Sequence, residues 1–262
     1  MSGFMAGGWI DTNDMLPSVL QTNINYLVMN VNPSGDDDSL KSLMNNAAFR
    51  SWKERNNTFL VAPNLPDSGP EWLDWFENPW KMKDFIDKVS SYATFSGIAV
   101  DYEVDYANSD LLNSIDSFCA YLNNQQNIGD KRIVMFSLGE GSFNDDTAPI
   151  VLREFNSIID SHKNTSFIFE MQFYDKKSPE DIKNRIQEHR NNLNSVGDDT
   201  PYFRQHYYFI YQFPYTDIDT IDEIVGYVYD NELYAVSIWL ITDLNTSQLQ
   251  QFNNAISQYV KT

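Results

Sequence analysis

A chain of 262 residues with 37 Asp and Glu against 18 Lys and Arg carries a net charge of −19. Such a surface repels nucleic-acid phosphates and anionic lipid, so neither is expected as a partner. No window approaches about 18 uninterrupted apolar residues, so no membrane span is expected; 42% apolar and 15% aromatic residues suffice for a large core, and the length suits one barrel-type α/β domain.

In chain order, eight short apolar runs read as buried strands: 4–9, 25–32, 58–64, 95–103, 132–139, 167–174, 207–213 and 235–241. The stretch before Trp9 has no basic segment and no apolar run of signal-peptide length, so no leader is expected there, and the compartment stays open. The first connection, 11–22, is short and contains Pro17, which makes its helix the weakest. The acidic run Asp36-Asp37-Asp38 is placed to cap a helix after the second strand. Ile115, Phe118, Cys119 and Leu122 share a helical face, so Cys119, the one cysteine, reads as a buried structural thiol. Ser178-Pro179-Glu180-Asp181 starts a helix with a cap, a first-turn proline and acids facing the macrodipole. Ile182, Ile186 and Leu193 share its face. Ile218, Ile221, Val225 and Val228 form another face, and Leu249, Phe252, Ile256 and Val260 a third. Thr216 with Asp219 and Asn245 with Gln248 have the spacing of cap pairs.

Strand and helix alternating eight times in one undivided chain predict a parallel sheet, and eight units favour closure. The expected architecture is therefore a (β/α)8 TIM barrel forming a single domain over residues 1–262. No Gly-x-Gly-x-x-Gly or Walker loop follows any strand, which argues against a nucleotide site. His162, His189 and His206 are scattered, so no metal is expected, and the chain is expected to act as a monomer.

In such barrels the strands' C-terminal ends carry the site. Alternation puts Ala99, Asp101 and Glu103 on one face of strand four, with Ile98, Val100 and Tyr102 on the other. Asp101 and Glu103 then point into the barrel mouth about 7 Å apart along the strand, close enough for one to keep its proton near neutrality. Glu103 is the candidate proton donor and Asp101 the candidate for orienting substrate; the pair would equally serve to cap the next helix. On strand six, Glu170, Gln172 and Tyr174 share a face that must be hydrated or hydrogen-bonded, because an apolar helix layer would leave it unsatisfied. On strand eight, Ser237, Trp239 and Ile241 share a face, so Trp239 reads either as an apolar floor for a sugar ring or as barrel core. Residues 66–80 and 141–146 are candidate rim loops, and Trp72, Trp75 and Trp80 either extend a sugar platform or belong to a helix packed on the barrel.

Strand four resembles that of family 18 glycoside hydrolases, the chitinases and endo-N-acetylglucosaminidases. Their pattern Asp-Gly-x-Asp-x-Asp-x-Glu is met here by Ser96-Gly97-Ile98-Ala99-Val100-Asp101-Tyr102-Glu103. Gln172-Phe173-Tyr174 is similar to the Gln-Phe-Tyr of compact plant-type members. The resemblance implies Glu103 as general acid, Asp101 and Tyr174 as the residues that hold the substrate acetamide, and Trp239 as the floor under the reacting sugar. With Gln172 and Glu170 as further substrate contacts, it implies retaining, substrate-assisted hydrolysis of β-1,4-linked N-acetylglucosamine glycans, with no cofactor. Two acids of the pattern are Ser96 and Ala99 here, so the proton-sharing partner of Asp101 is missing; Glu170, inward on strand six, is the candidate to replace it. Two alternatives stand beside this reading: a family-18-like carbohydrate-binding protein without turnover, and a muramidase-type glycosidase of another barrel family.

Overall fold

The structure is a computed structural model that describes residues 4–10, 16–55, 57–65, 69–102, 109–124, 132–138, 148–162, 165–172, 178–195, 207–208, 221–231, 233 and 235–260. The strands are β1 (Met5–Ile10), β2 (Tyr26–Val31), β3 (Thr58–Pro63), β4 (Gly97–Tyr102), β5 (Arg132–Leu138), β6 (Thr165–Met171), β7 (Tyr207–Tyr208) and β8 (Ala235–Ile238). The helices are α1 (Leu16–Val19), α2 (Asp38–Asn45), α3 (Ala47–Glu54), α4 (Gly69–Glu77), α5 (Trp80–Ser90), α6 (Ser109–Asn123), α7 (Ala148–Ser161), α8 (Pro179–Ser195), α9 (Ile221–Asp230) and α10 (Thr246–Ile256).

Helix boundaries follow local chemistry. Asp37 accepts a hydrogen bond from Leu40 N and opens α2, as the acidic run predicts. Ser178 Oγ accepts from Asp181 N at the start of α8. Asn245 and Gln248 close a reciprocal capping box on α10. The first connection holds only the single turn α1, in keeping with its weak pattern. Thr216 and Asp219 lie outside the described residues.

Among the described residues all seven ladders are parallel, and the sheet order is β7-β6-β5-β4-β3-β2-β1-β8. Sequential neighbours with β8 returning to β1 is the order a barrel requires. A ladder between β7 and β8 is not among the described pairings, so the sheet stands as a parallel half-barrel arc within a single α/β domain. The arc is strongly curled. Five ladder steps separate β1 from β6, about 24 Å on a flat sheet, yet the Trp9 indole on β1 touches the Glu170 carboxylate on β6 at 2.8 Å.

Alternation splits the core into two layers. Ile98, Val100, Val134, Phe136, Phe167 and Phe169 face the helices, and their rings interlock with Phe155 of α7, 4.7 Å from Phe169. Trp9, Tyr26, Val28, Leu60, Ala62, Ala99, Met135 and Ile168 fill the concave side. Each such ring withdrawn from water contributes about 1.5–3 kcal/mol. Cys119 is buried on α6 with Ile115, Phe118 and Leu122, as the spacing predicts.

Two expectations are corrected. Strand eight ends at Ile238, not at 241. The chain turns through a cis Trp239–Leu240 peptide into a short 3-10 helix, Ile241–Asp243, and Ile241 packs in the helix-facing layer rather than sharing a face with Ser237 and Trp239. Residues 69–77 are not a rim loop but the helix α4, and its apolar face buries Trp72 and Trp75 against Phe76 and Phe85. Of the three tryptophans only Trp80 is exposed, at the start of α5, where Lys81 lies over its ring. Among the described residues no helix is long and apolar enough to cross a membrane.

Candidate functional site

The polar residues of the concave side gather toward the C-terminal ends of β4, β5 and β6. Register places Asp101, Ser137 and Glu170 in one row, since Asp101 pairs with Ser137 and Ser137 with Glu170. Inward parity gives each the same side of the sheet, as the alternation on strands four and six predicts. One row toward the N-termini stand Ala99, Met135 and Ile168, all buried and apolar. The boundary between chemistry and packing therefore falls between residues 99 and 101 of β4.

Gln172, just past β6, ties the row together. Its Nε2 donates to Ser137 Oγ at 2.9 Å and, more weakly, to Asp101 Oδ1 at 3.4 Å. Gln172 and Ser137 are buried, so this contact is worth more than its surface equivalent. Asp101 is half-buried.

Glu170 is 1% exposed. Trp9 Nε1 donates to both its oxygens, at 2.8 and 3.0 Å. Glu170 and Gln172 on the inward face of strand six are thus hydrogen-bonded within the protein. Burial, and then the negative charge of Glu170, push the Tyr26 phenol well above its ordinary range. The nearby Ser237 hydroxyl pulls the other way, although neither hydroxyl has a partner in hydrogen-bond geometry.

Trp239 is partly buried and packs on the concave apolar cluster. Its ring lies 5.2 Å from that of Trp9, tilted by 59°. Glu103 and Tyr174 lie outside the described residues. The described candidates Asp101, Glu170, Gln172 and Trp239 thus all occupy the concave side. Ser96, in place of the pattern's first acid, accepts through Oγ from Phe59 N and so pins β4 to β3. His162 bonds to Asp116 of α6. Among the described residues no group of His, Cys, Asp and Glu could hold a metal ion.

Trp9, Tyr26 and Ser137 join the arrangement and were not singled out from sequence, whereas Ser237 was placed on the face of strand eight that carries Trp239. Ser137 had a legible signal, as the polar member of the Ile133, Met135, Ser137 face of an otherwise apolar strand. Trp9 had none, because nothing local pairs it with a carboxylate five strands away on the same face of the sheet.

No protein-family model matches the chain, and no curated protein matches it. Its fold is shared with solved glycosidase structures. The chain is similar to active domain 2 of a chitinase from Pyrococcus furiosus, at 9% identity and a TM-score of 0.60, over 100% of this chain and 98% of that one. It is similar to the spore cortex-lytic enzyme SleL of Bacillus cereus, at 10% identity and a TM-score of 0.65, over 96% of this chain and 74% of that one. It is also similar to a GH26 β-mannanase from Bacteroides ovatus, at 12% identity and a TM-score of 0.62, over 97% and 87%. One fold under three such names does not select a substrate; that choice rests with the side chains at the site.

Proposed function

We propose that the chain is a glycoside hydrolase that cleaves β-1,4-linked N-acetylglucosamine-containing glycans with retention, in a closed (β/α)8 barrel of the family 18 kind spanning residues 1–262. The observation that carries this reading is the Gln172 amide joining Ser137 and Asp101 at the C-terminal end of the sheet, beside the Trp9–Trp239 pair. A carboxylate braced beside a partly buried aromatic ring suits a sugar that presents C–H patches to the ring and an acetamide to the acid.

In the proposed reaction Glu103 protonates the glycosidic oxygen. The substrate acetamide oxygen attacks the anomeric carbon as that bond breaks. Asp101, braced by Gln172, and Tyr174 hold the acetamide in line, so their contribution is positioning. Water, deprotonated by the Glu103 carboxylate, then opens the oxazolinium ion from the same face. Neither metal nor organic cofactor takes part, and one copy of the chain suffices.

A second reading is favoured by one observation: Ala99 sits in a wholly apolar row, so nothing at that place shares a proton with Asp101. On that reading the barrel binds the glycan without turning it over. Hydrolysis of a fluorogenic N-acetylglucosamine oligomer by the wild type and Glu103→Gln separates the two. The hydrolase reading expects a loss of about 10²–10⁴-fold in the variant with binding retained. Equal turnover in both proteins would refute the acid assignment, and binding without turnover in the wild type would select the second reading.

A further inference from the structure

None of the reaction steps set out above passes through Glu170, yet its carboxylate is buried on the inner face of β6. A carboxylate in that setting needs hydrogen bonds to hold its charge. Trp9 contributes from β1, with its single indole N–H shared between both oxygens. An indole is a rigid plate with two side-chain torsions, so fixing its N–H fixes its plane. The same ring meets Trp239 at 5.2 Å and 59°. A chain of contacts therefore runs from Glu170 through Trp9 to the partly buried Trp239.

We propose that Glu170 is a positioning residue: by holding the Trp9 indole it sets the tilt of Trp239, and with it the floor on which a sugar ring rests. The sugar-facing half of this inference rests on the glycosidase reading; the Trp9–Trp239 half does not. Glutamine at 170 keeps an acceptor for the indole. Leucine keeps the shape but leaves the indole N–H unpaired and the plate free to swing.

The test uses the full chain as wild type, Glu170→Gln and Glu170→Leu. Two tilted indoles this close couple their transitions, giving a far-ultraviolet circular dichroism couplet that is assigned by its loss in Trp239→Phe. Glu170→Leu is expected to lose most of the couplet and about tenfold in affinity for an N-acetylglucosamine tetramer, measured by calorimetry. Glu170→Gln is expected to keep both, a rescue that a role in packing alone does not predict, since leucine fills the same space. A folded Glu170→Leu with an undiminished couplet would overturn the proposal. If that variant does not fold, the indole proton of Trp9 in the wild type decides, assigned in the ¹⁵N–¹H spectrum by its absence from Trp9→Phe. A resonance downfield of the exposed Trp80 proton and slow to exchange supports the anchor, and one that coincides with it overturns the anchor. Failure of the wild type to bind the tetramer, with a couplet that still follows residue 170, would remove the glycosidase reading and leave the anchoring of the tryptophan pair standing.

Discussion

Replacing Gly97 by alanine tests whether the close approach of β4 and β5 sets the position of Asp101. Gly97 begins β4 with the same inward parity as Ala99 and Asp101. A Cβ added there would lie 2.1 Å from the Ile133 carbonyl oxygen and 2.7 Å from both its carbonyl carbon and its Cβ. The nearest obstacle is backbone, so no side-chain rotation relieves it. Carbon–oxygen contacts are tolerated down to about 3.3 Å, so β5 must retreat by about 1.2 Å. Ladder hydrogen bonds near 2.9 Å would then exceed 3.5 Å and fail. Overpacking of about 1–3 kcal/mol, with one or two lost hydrogen bonds at about 1 kcal/mol each, gives a destabilisation of about 3 kcal/mol. Urea unfolding should show the midpoint falling at constant slope. Because Asp101 lies farther along the same strand, paired with Ser137, turnover should fall as well. A variant within about 1 kcal/mol of wild type would refute the steric argument.

Three further outcomes are expected. Gln172→Leu removes the donor 2.9 Å from buried Ser137 Oγ and should cost about 1–2 kcal/mol in urea unfolding, with turnover reduced; unchanged stability would deny the bridge. Tyr26→Phe deletes an unpartnered buried hydroxyl and should change stability near neutral pH by less than about 1 kcal/mol. In the wild type that phenol is held neutral by burial and the Glu170 charge, while the unfolded chain ionises it near its ordinary pKa of about 10. Native protein then binds more protons than unfolded, so stability falls as pH rises above about 10. Tyr26→Phe should flatten that alkaline decline, and parallel urea midpoints for the two proteins from pH 8 to 11 would contradict it. Burial, and then the Asp116 charge, push the Cys119 thiol up. It should resist a disulfide reagent at pH 8 in the native protein and react at once in denaturant, whereas rapid native reaction would deny the burial.

Local periodicity determined much of this protein. Alternation in strands four and six was enough to turn Ile98 and Val100 toward the helices and Asp101, Glu170 and Gln172 inward, because a strand's faces depend only on residue parity. Cap chemistry at Asp37, Ser178 and Asn245 acts within four residues and was equally legible. The end of β8 was not, since Ile238, Trp239, Leu240 and Ile241 continue an apolar run and only packing against the helix layer turns Ile241 outward. Trp72 and Trp75 had two readings until the burial of α4 chose core over rim. The Trp9–Glu170 contact and the Gln172 bridge from β6 to β5 and β4 lay beyond any local signal. A contact across 161 residues exists only because the sheet curls, and that curl is a property of the assembled strands rather than of any one of them.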